Sequence, residues 1–118
     1  MTKQKSDKQA LDNIVESAEH LEQVYKRDLQ FGDLVMITTQ NSVYSVSVIG
    51  DDRYLVSGGV FDRKGLSPMK TTIRGCTWGG STIKVDIVAG CGMFLEFGNG
   101  VVTSRIEQVR LIPSGAQN

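Results

Sequence analysis

The stretch LVMITTQNSVYSVSVI, residues 34–49, carries the pattern that decides the fold. Its second half alternates strictly, so that Tyr44, Val46 and Val48 share one apolar face of an extended chain. Gln40 and Asn41 lie between the two halves, and residues of this kind favour turns. The stretch therefore predicts two half-buried antiparallel strands joined by a turn.

Short strand-like runs separated by turn residues continue from this stretch to residue 112. The predicted strands are Leu34–Thr39, Val43–Ile49, Tyr54–Ser57, Thr71–Trp78, Ser81–Ala89, Met93–Phe97, Val101–Val102 and Ile106–Ile112. Many short strands at regular spacing are typical of antiparallel sandwiches and small barrels. We expect a mainly β fold, a small antiparallel β-barrel (SH3-like or similar), because closure removes exposed sheet edges.

An apolar stripe with helical spacing precedes the strands. Ser6 and Gln9 match a capping box, and Gly32 follows the last apolar position. The pattern predicts one amphipathic α-helix over residues 7–28. The stripe consists of Leu11, Ile14, Ala18, Leu21 and Tyr25. A helix of this kind is stabilised mainly by packing. We therefore expect the stripe to dock on the open end of the barrel, to mediate self-association or to capture a partner.

Length and charge bound the organisation of the chain. With 118 residues it is expected to form one domain, with the barrel over residues 31–113. Residues 1–6 and 114–118 are polar, and we expect them to be mobile because they lack apolar anchors. The 13 basic and 13 acidic side chains cancel, which argues against a strongly cationic nucleic-acid binder but leaves local patches open.

Cysteine usage and the absence of targeting signals indicate a cytoplasmic location. No apolar run in the sequence has the length of a signal peptide or a membrane span. Cys76 and Cys91 form no CxxC pair and have no clustered histidines, so we predict no metal site. One disulfide between them is the alternative, but reduced thiols fit a chain without a secretion signal better.

The sequence predicts no catalytic residues and no cofactor. His20 is the single histidine, and its expected place on the polar side of a helix offers no cleft. Asp86 and Glu96 fall on predicted strands at solvent-facing positions, and their spacing does not establish a hydrolytic pair. Cys91 lies in a glycine-rich turn without a nearby cation to activate its thiol. A small hydrolase or a thiol enzyme is therefore our third hypothesis.

A run of positive charge surrounds the only tryptophan. Five cations and no acids lie between Asp62 and Asp86, and Trp78 sits in a glycine-rich hairpin among them. Cations that follow phosphates and a ring on which bases stack are typical of single-stranded nucleic-acid binding. The candidate residues are Arg63, Lys64, Lys70, Arg74 and Trp78. The alternative is a structural stack between Arg74 and Trp78 on one face of a strand.

The stretch GCTWGGS, residues 75–81, followed by a Gly-Met turn and a Thr-Ser pair before the last strand, resembles a set of small uncharacterised bacterial proteins. The resemblance covers about the last 45 residues. It implies a shared small β fold, and it implies no activity, cofactor or substrate.

Taken with the neutral charge, these observations favour a non-enzymatic cytoplasmic interaction module. We expect it to bind a protein partner, or a second copy of itself, through the helix or exposed strands. The alternative is single-stranded nucleic-acid binding through the basic hairpin that carries Trp78. An exposed Trp78 beside several cations would favour that alternative.

Overall fold

The computed structural model describes residues 19–117, and in this part of the chain the fold is mainly β, as the sequence predicts. The strands, in chain order, are β1 Glu19–Leu21, β2 Gln23–Tyr25, β3 Leu34–Thr39, β4 Val43–Gly50, β5 Arg53–Gly58, β6 Met69–Thr71, β7 Ile73–Thr77, β8 Ile87–Gly90, β9 Phe94–Phe97 and β10 Ile106–Ile112. A five-residue helix, α1 (Gly59–Arg63), follows β5, and 3₁₀ turns span Lys26–Asp28 and Ser114–Gln117.

The largest layer is a six-stranded antiparallel sheet with the order β1-β10-β3-β4-β5-β6. The alternation in residues 34–49 is confirmed, because Tyr44, Val46 and Val48 are buried on its inner face. Val35 and Ile37 of β3 lie directly opposite Val46 and Tyr44. Cross-strand apolar pairs of this kind are the main stabilising unit of a sheet, so this pairing sets the register of its centre.

Two smaller antiparallel sheets, β2-β8 and β7-β9, cover the inner face. Within residues 19–117 the three sheets do not close into a barrel, so the predicted closure is wrong at this level of detail. The six-stranded sheet ends at β1 and β6, which have three residues each. Such short edge strands limit edge-to-edge association without closure.

The predicted helix over residues 7–28 is wrong for the residues that the structure describes. Gln23 and Val24 pair with Gly90 and Ala89, and β1 pairs with β10. Apolar positions at 21, 24 and 25 satisfy helical spacing, but the unpaired edges of β8 and β10 offer this segment ladder hydrogen bonds and bury Val24. Tertiary context therefore overrides the local pattern. Residues 1–18 lie outside the described residues, as do Leu11, Ile14 and Ala18 of the predicted stripe.

The described part of the chain contains no helix that is long and apolar enough to cross a membrane.

The strand predicted over Ser81–Ala89 is wrong in its first half. Only Lys84 pairs with β7, at Cys76, and the chain turns at residues 85–86 before β8. Val85 is consequently exposed while Ile87 is buried.

The predicted mobile tail folds back as a 3₁₀ turn over Ser114–Gln117. The Ser114 backbone N–H donates to Asp33 Oδ1 at 3.0 Å, and Gln117 Nε2 donates to Gly32 O at 2.8 Å. Polar contacts to the loop before β3 thus replace the apolar anchor that this segment lacks. Asn118 lies outside the described residues.

Three aromatic rings join the six-stranded sheet to β9 in the core. Phe61, on α1, lies 5.1 Å from Phe97 and 6.2 Å from Tyr44 between ring centroids, both in edge-to-face geometry. The Val60 backbone N–H donates to the Tyr44 hydroxyl at 3.3 Å and holds α1 against β4. Edge-to-face pairs stabilise a core beyond the contribution of the buried area. The short helix therefore helps to hold the two layers together through Phe61.

Gly75→Ala is expected to destabilise the protein by more than about 2 kcal/mol. Gly75 has a φ of 141°, and an added Cβ would meet the backbone of Lys84 and Val85. Urea unfolding followed by circular dichroism measures the change. Gly80→Ala is the matched control, since its Cβ enters open space. Equal stability of the two variants would contradict the close backbone approach.

Candidate interaction surface around Trp78

Trp78 lies one residue beyond the end of β7, and 55% of it is exposed. Its ring rests over Gly92, where an added Cβ would lie 3.0 Å from Trp78 Cζ3. The inward positions of β7 are occupied by Ile73 and Cys76, which are both buried. The tryptophan is therefore an exposed ring on a fixed support and does not fill the core.

Phe94 and Arg105 extend this feature across the neighbouring strand. Phe94 pairs directly with Thr77, and the Arg105 guanidinium carbon lies 4.7 Å from the Phe94 ring centroid. Arg105 Nη1 also donates to Gly92 O at 2.7 Å, so the residue beneath the Trp78 ring is held by the arginine. Trp78, Gly92, Phe94 and Arg105 together form what we call the Trp78 surface.

The predicted cations do not gather around Trp78. Arg74 Nη1 lies 3.4 Å from Glu96 Oε2, which neutralises the charge on β7 nearest to the ring. Arg63 Nη1 donates to Ser42 Oγ at 3.1 Å, beside the turn between β3 and β4. Lys64 follows α1, and Lys70 lies on edge strand β6. The five candidates are thus spread over several elements, and Arg105, the cation that forms part of the Trp78 surface, is not among them.

Leu21 and Tyr25, the two residues of the predicted helical stripe that the structure describes, do not form a partner-binding helix face. Leu21 lies on β1 and Tyr25 on β2, and both pack partly buried against the core. The Tyr25 hydroxyl donates to Gln23 Oε1 at 2.7 Å, and the Arg27 guanidinium stacks over the Tyr25 ring at 4.3 Å.

Apart from the Trp78 surface, a cleft of about 530 Å³ lies between the 3₁₀ turn at residues 26–28 and the β4-β5 turn. Lys26 Nζ lies 3.1 Å from Asp52 Oδ1 and donates to Ile73 O at 2.6 Å. Burial raises the pKa of Tyr54, and the neighbouring Asp52 raises it further. Lys26 thus joins the 3₁₀ turn that follows β2 both to β7, through the Ile73 carbonyl, and to the β4-β5 turn, through Asp52.

The cysteines are free thiols that lack the features of activated nucleophiles. Burial raises the pKa of Cys76 to about 12. Partial burial and the Glu22 carboxylate also raise the pKa of Cys91. In the described residues, His, Cys, Asp and Glu side chains form no group of three that would hold a metal ion.

Phe94 and Arg105 are the contributors to the site that sequence reasoning missed. Phe94 belongs to a predicted strand, and alternation along that strand puts it on the face that Leu95 and Phe97 do not share. This was a usable signal for an outward aromatic residue. Arg105 lies 27 positions from Trp78, and their common contact with Gly92 depends on the packing of three segments.

No protein-family model matches the chain, and neither a curated protein nor a solved structure matches it. The resemblance of residues 75–81 to small bacterial proteins therefore stays a prediction.

Lys26→Met is expected to lower the free energy of unfolding by about 1–3 kcal/mol, because it leaves the Ile73 carbonyl and Asp52 without their cation. Arg27→Met is the control, since Arg27 and Asp86 are exposed and 3.9 Å apart, and such pairs contribute under about 1 kcal/mol. Urea titration at pH 7 distinguishes the two. A smaller loss for Lys26→Met than for Arg27→Met would contradict this assignment.

Cys91 is expected to react slowly with iodoacetamide at pH 7 and faster as the pH rises above 9. The thiolate is the reactive form, and the raised pKa keeps Cys91 protonated at neutral pH. Mass spectrometry of the native protein after timed labelling measures this rate, and Cys91→Ser identifies any labelling of the buried Cys76. Rapid labelling of Cys91 at neutral pH would revive the thiol-enzyme hypothesis.

Proposed function

We propose that the protein is a non-enzymatic binding module that recognises a protein partner through the Trp78 surface. The observation that carries the proposal is the exposed but supported position of the only tryptophan. Tryptophan and arginine are the residue types most enriched among the side chains that dominate binding energy at protein interfaces. Here one of each contacts Gly92.

The supports of the two side chains favour binding because little conformational freedom remains to be lost. Trp78 rests on Gly92, and Arg105 is fixed both by the Phe94 ring and by the Gly92 carbonyl. Immobilising a free side chain at an interface costs about 0.5–1.5 kcal/mol. Phe31 is more exposed, at 75%, yet within residues 19–117 it has no ring or cation contact of this kind.

The chemistry of the surface also describes the partner. The Trp78 ring offers an apolar contact, while the Arg105 guanidinium retains N–H donors beyond the one bonded to Gly92. A protein segment that places an apolar side chain on the ring and a carbonyl or carboxylate oxygen near the guanidinium fits both. Self-association through a second copy of the chain is the homotypic form of the same interaction.

Single-stranded nucleic acid is the second candidate ligand. The exposed ring favours it, as does Lys84, which pairs with Cys76 on β7 and has no ion-pair partner in the described part of the chain. The Arg74–Glu96 pair argues against it, because a phosphate backbone requires uncompensated cations along the strand. We therefore rank a protein partner first.

We include a cytoplasmic location and the absence of catalysis in the proposal. Two free cysteines favour a reducing compartment. The raised pKa of the Cys91 thiol argues against nucleophilic catalysis there.

Selection from a displayed random-peptide library, with counter-selection against Trp78→Ala, tests the proposal. We expect enriched peptides whose affinity falls at least about tenfold on Trp78→Ala and on Arg105→Ala, because side chains that dominate an interface cost about 2 kcal/mol or more when truncated. Phe31→Ala is the matched control and is expected to leave affinity unchanged. Binding is measured by fluorescence anisotropy of labelled peptides, with sedimentation for self-association.

Two outcomes would overturn this proposal. One is a selection that yields no Trp78-dependent peptide while sedimentation shows a monomer at all concentrations. The other is salt-sensitive binding of a mixed-sequence single strand that Trp78→Ala abolishes, which would assign the surface to nucleic acid.

A further inference from the structure

A groove of about 580 Å³ opens along the edge of the six-stranded sheet, where β5 meets β6. It is lined by Ile49, Arg53, Lys70, Thr71 and Thr72. Its volume lies within the range of about 300–1,000 Å³ that is typical of sites for small molecules. Nothing in the proposed function accounts for it.

The sheet register places both cations over this groove. Lys70 on β6 lies directly opposite Leu55 on β5, and Arg53 precedes Leu55 by two residues. Residues two apart on one strand share a face, and diagonal neighbours across a strand pair lie about 7–8 Å apart. Arg53 and Lys70 are therefore diagonal neighbours on the outer face of the sheet.

Among the side chains that the structure describes, no carboxylate pairs with the cations of the groove. Neither Arg53 nor Lys70 forms an ion pair with any carboxylate in residues 19–117. Asp51 and Asp52 precede Arg53 in the chain, but they line the cleft that contains Lys26, and the Lys26 ammonium is bound to Asp52. Two cations thus share a concave site whose described lining contains no acidic residue.

We propose that this groove binds the phosphate group of a small organic phosphate. A guanidinium offers a planar pair of donors that matches phosphate oxygens, and an ammonium adds a mobile point charge. Thr71 and Thr72 line the same wall beside the two cations. Ile49 lines the remaining side and provides an apolar contact for the organic part of the ligand. Because Ile49 adds an apolar contact beside the two cations, a phosphate with an organic substituent gains more contacts here than the inorganic ion.

The groove is independent of the Trp78 surface. Thr72 precedes β7 and Trp78 follows it, so the two lie about 20 Å apart along the strand direction. The backbone N–H of Gly98 donates to Thr72 O at 2.8 Å, which anchors the groove to the far end of β9. Loss of binding at one site therefore leaves the other testable.

An NMR titration of the full ¹⁵N-labelled chain with phenyl phosphate, at constant ionic strength, tests the proposal. We expect saturable shifts of the Ile49, Arg53, Lys70 and Thr72 amides, and tighter binding of phenyl phosphate than of inorganic phosphate. Arg53→Gln and Lys70→Gln are each expected to weaken binding by about tenfold or more, since hydrogen bonds to charged groups are the stronger kind. Lys64→Gln, an exposed cation elsewhere, is the matched control.

Because Arg53 and Lys70 are exposed, we expect each variant to retain the fold. The NMR spectrum of each variant verifies this. The proposal would be overturned if the amides of all exposed lysines and arginines shifted alike. It would also be overturned if Lys64→Gln weakened phenyl phosphate binding as much as Arg53→Gln or Lys70→Gln. Binding of a single-stranded oligonucleotide that requires Arg53 and Lys70, without saturable binding of phenyl phosphate, would overturn it as well. That result would assign the groove to a nucleic-acid backbone.

Discussion

The packing of Phe61 between Tyr44 and Phe97 is the contact on which the remaining architecture depends. The three rings connect the inner face of the six-stranded sheet to β9, through a helix of only five residues. Aromatic rings bury large apolar areas and prefer the edge-to-face geometry seen here. Because β9 pairs with β7, this contact also positions the whole β7-β9 sheet, which carries Trp78 at one end and adjoins Thr72 at the other.

Exposure of Trp78 follows from the way in which this core is filled. The core positions beside β7 are filled by Leu95 and Phe97 of the paired strand, which are fully buried, while Trp78 lies beyond the end of β7 and is 55% exposed. Gly92 instead offers a flat backbone surface, and its φ of 85° disfavours any larger residue there. The cost of an exposed tryptophan is then offset only partly by contact with Gly92. An incompletely buried ring on a fixed support is what a binding surface requires.

Alternation within a strand was legible in the sequence, whereas pairing between distant segments was not. The bounds of β3 and β10 match the prediction, and in β3 every second residue is buried. In β10 an irregular register between Ile106 and Gln108 breaks the alternation. Residues 19–25 fit helical spacing equally well, and only the free edges of β8 and β10 decide for strands. The same limit applies to the site. The basic, glycine-rich hairpin around Trp78 indicates that residue as a candidate. Arg105 comes close to it only because its guanidinium donates to the carbonyl of Gly92, which the sequence relates to neither residue.

Zero net charge conceals an uneven distribution that separates the two surfaces by chemistry. Near Trp78 Arg74 is paired with Glu96, and the Arg105 guanidinium stacks on the Phe94 ring and uses one donor on the Gly92 carbonyl, so the proposed contact with a partner combines an apolar ring with the remaining Arg105 donors. At the β5-β6 edge neither Arg53 nor Lys70 has an ion-pair partner among the described side chains, since Asp51 and Asp52 line the cleft of Lys26. A protein partner that covers the Trp78 surface would remove few unpaired charges from water. An anion would be attracted to the β5-β6 groove at longer range. The two sites therefore suit different ligands on one small fold.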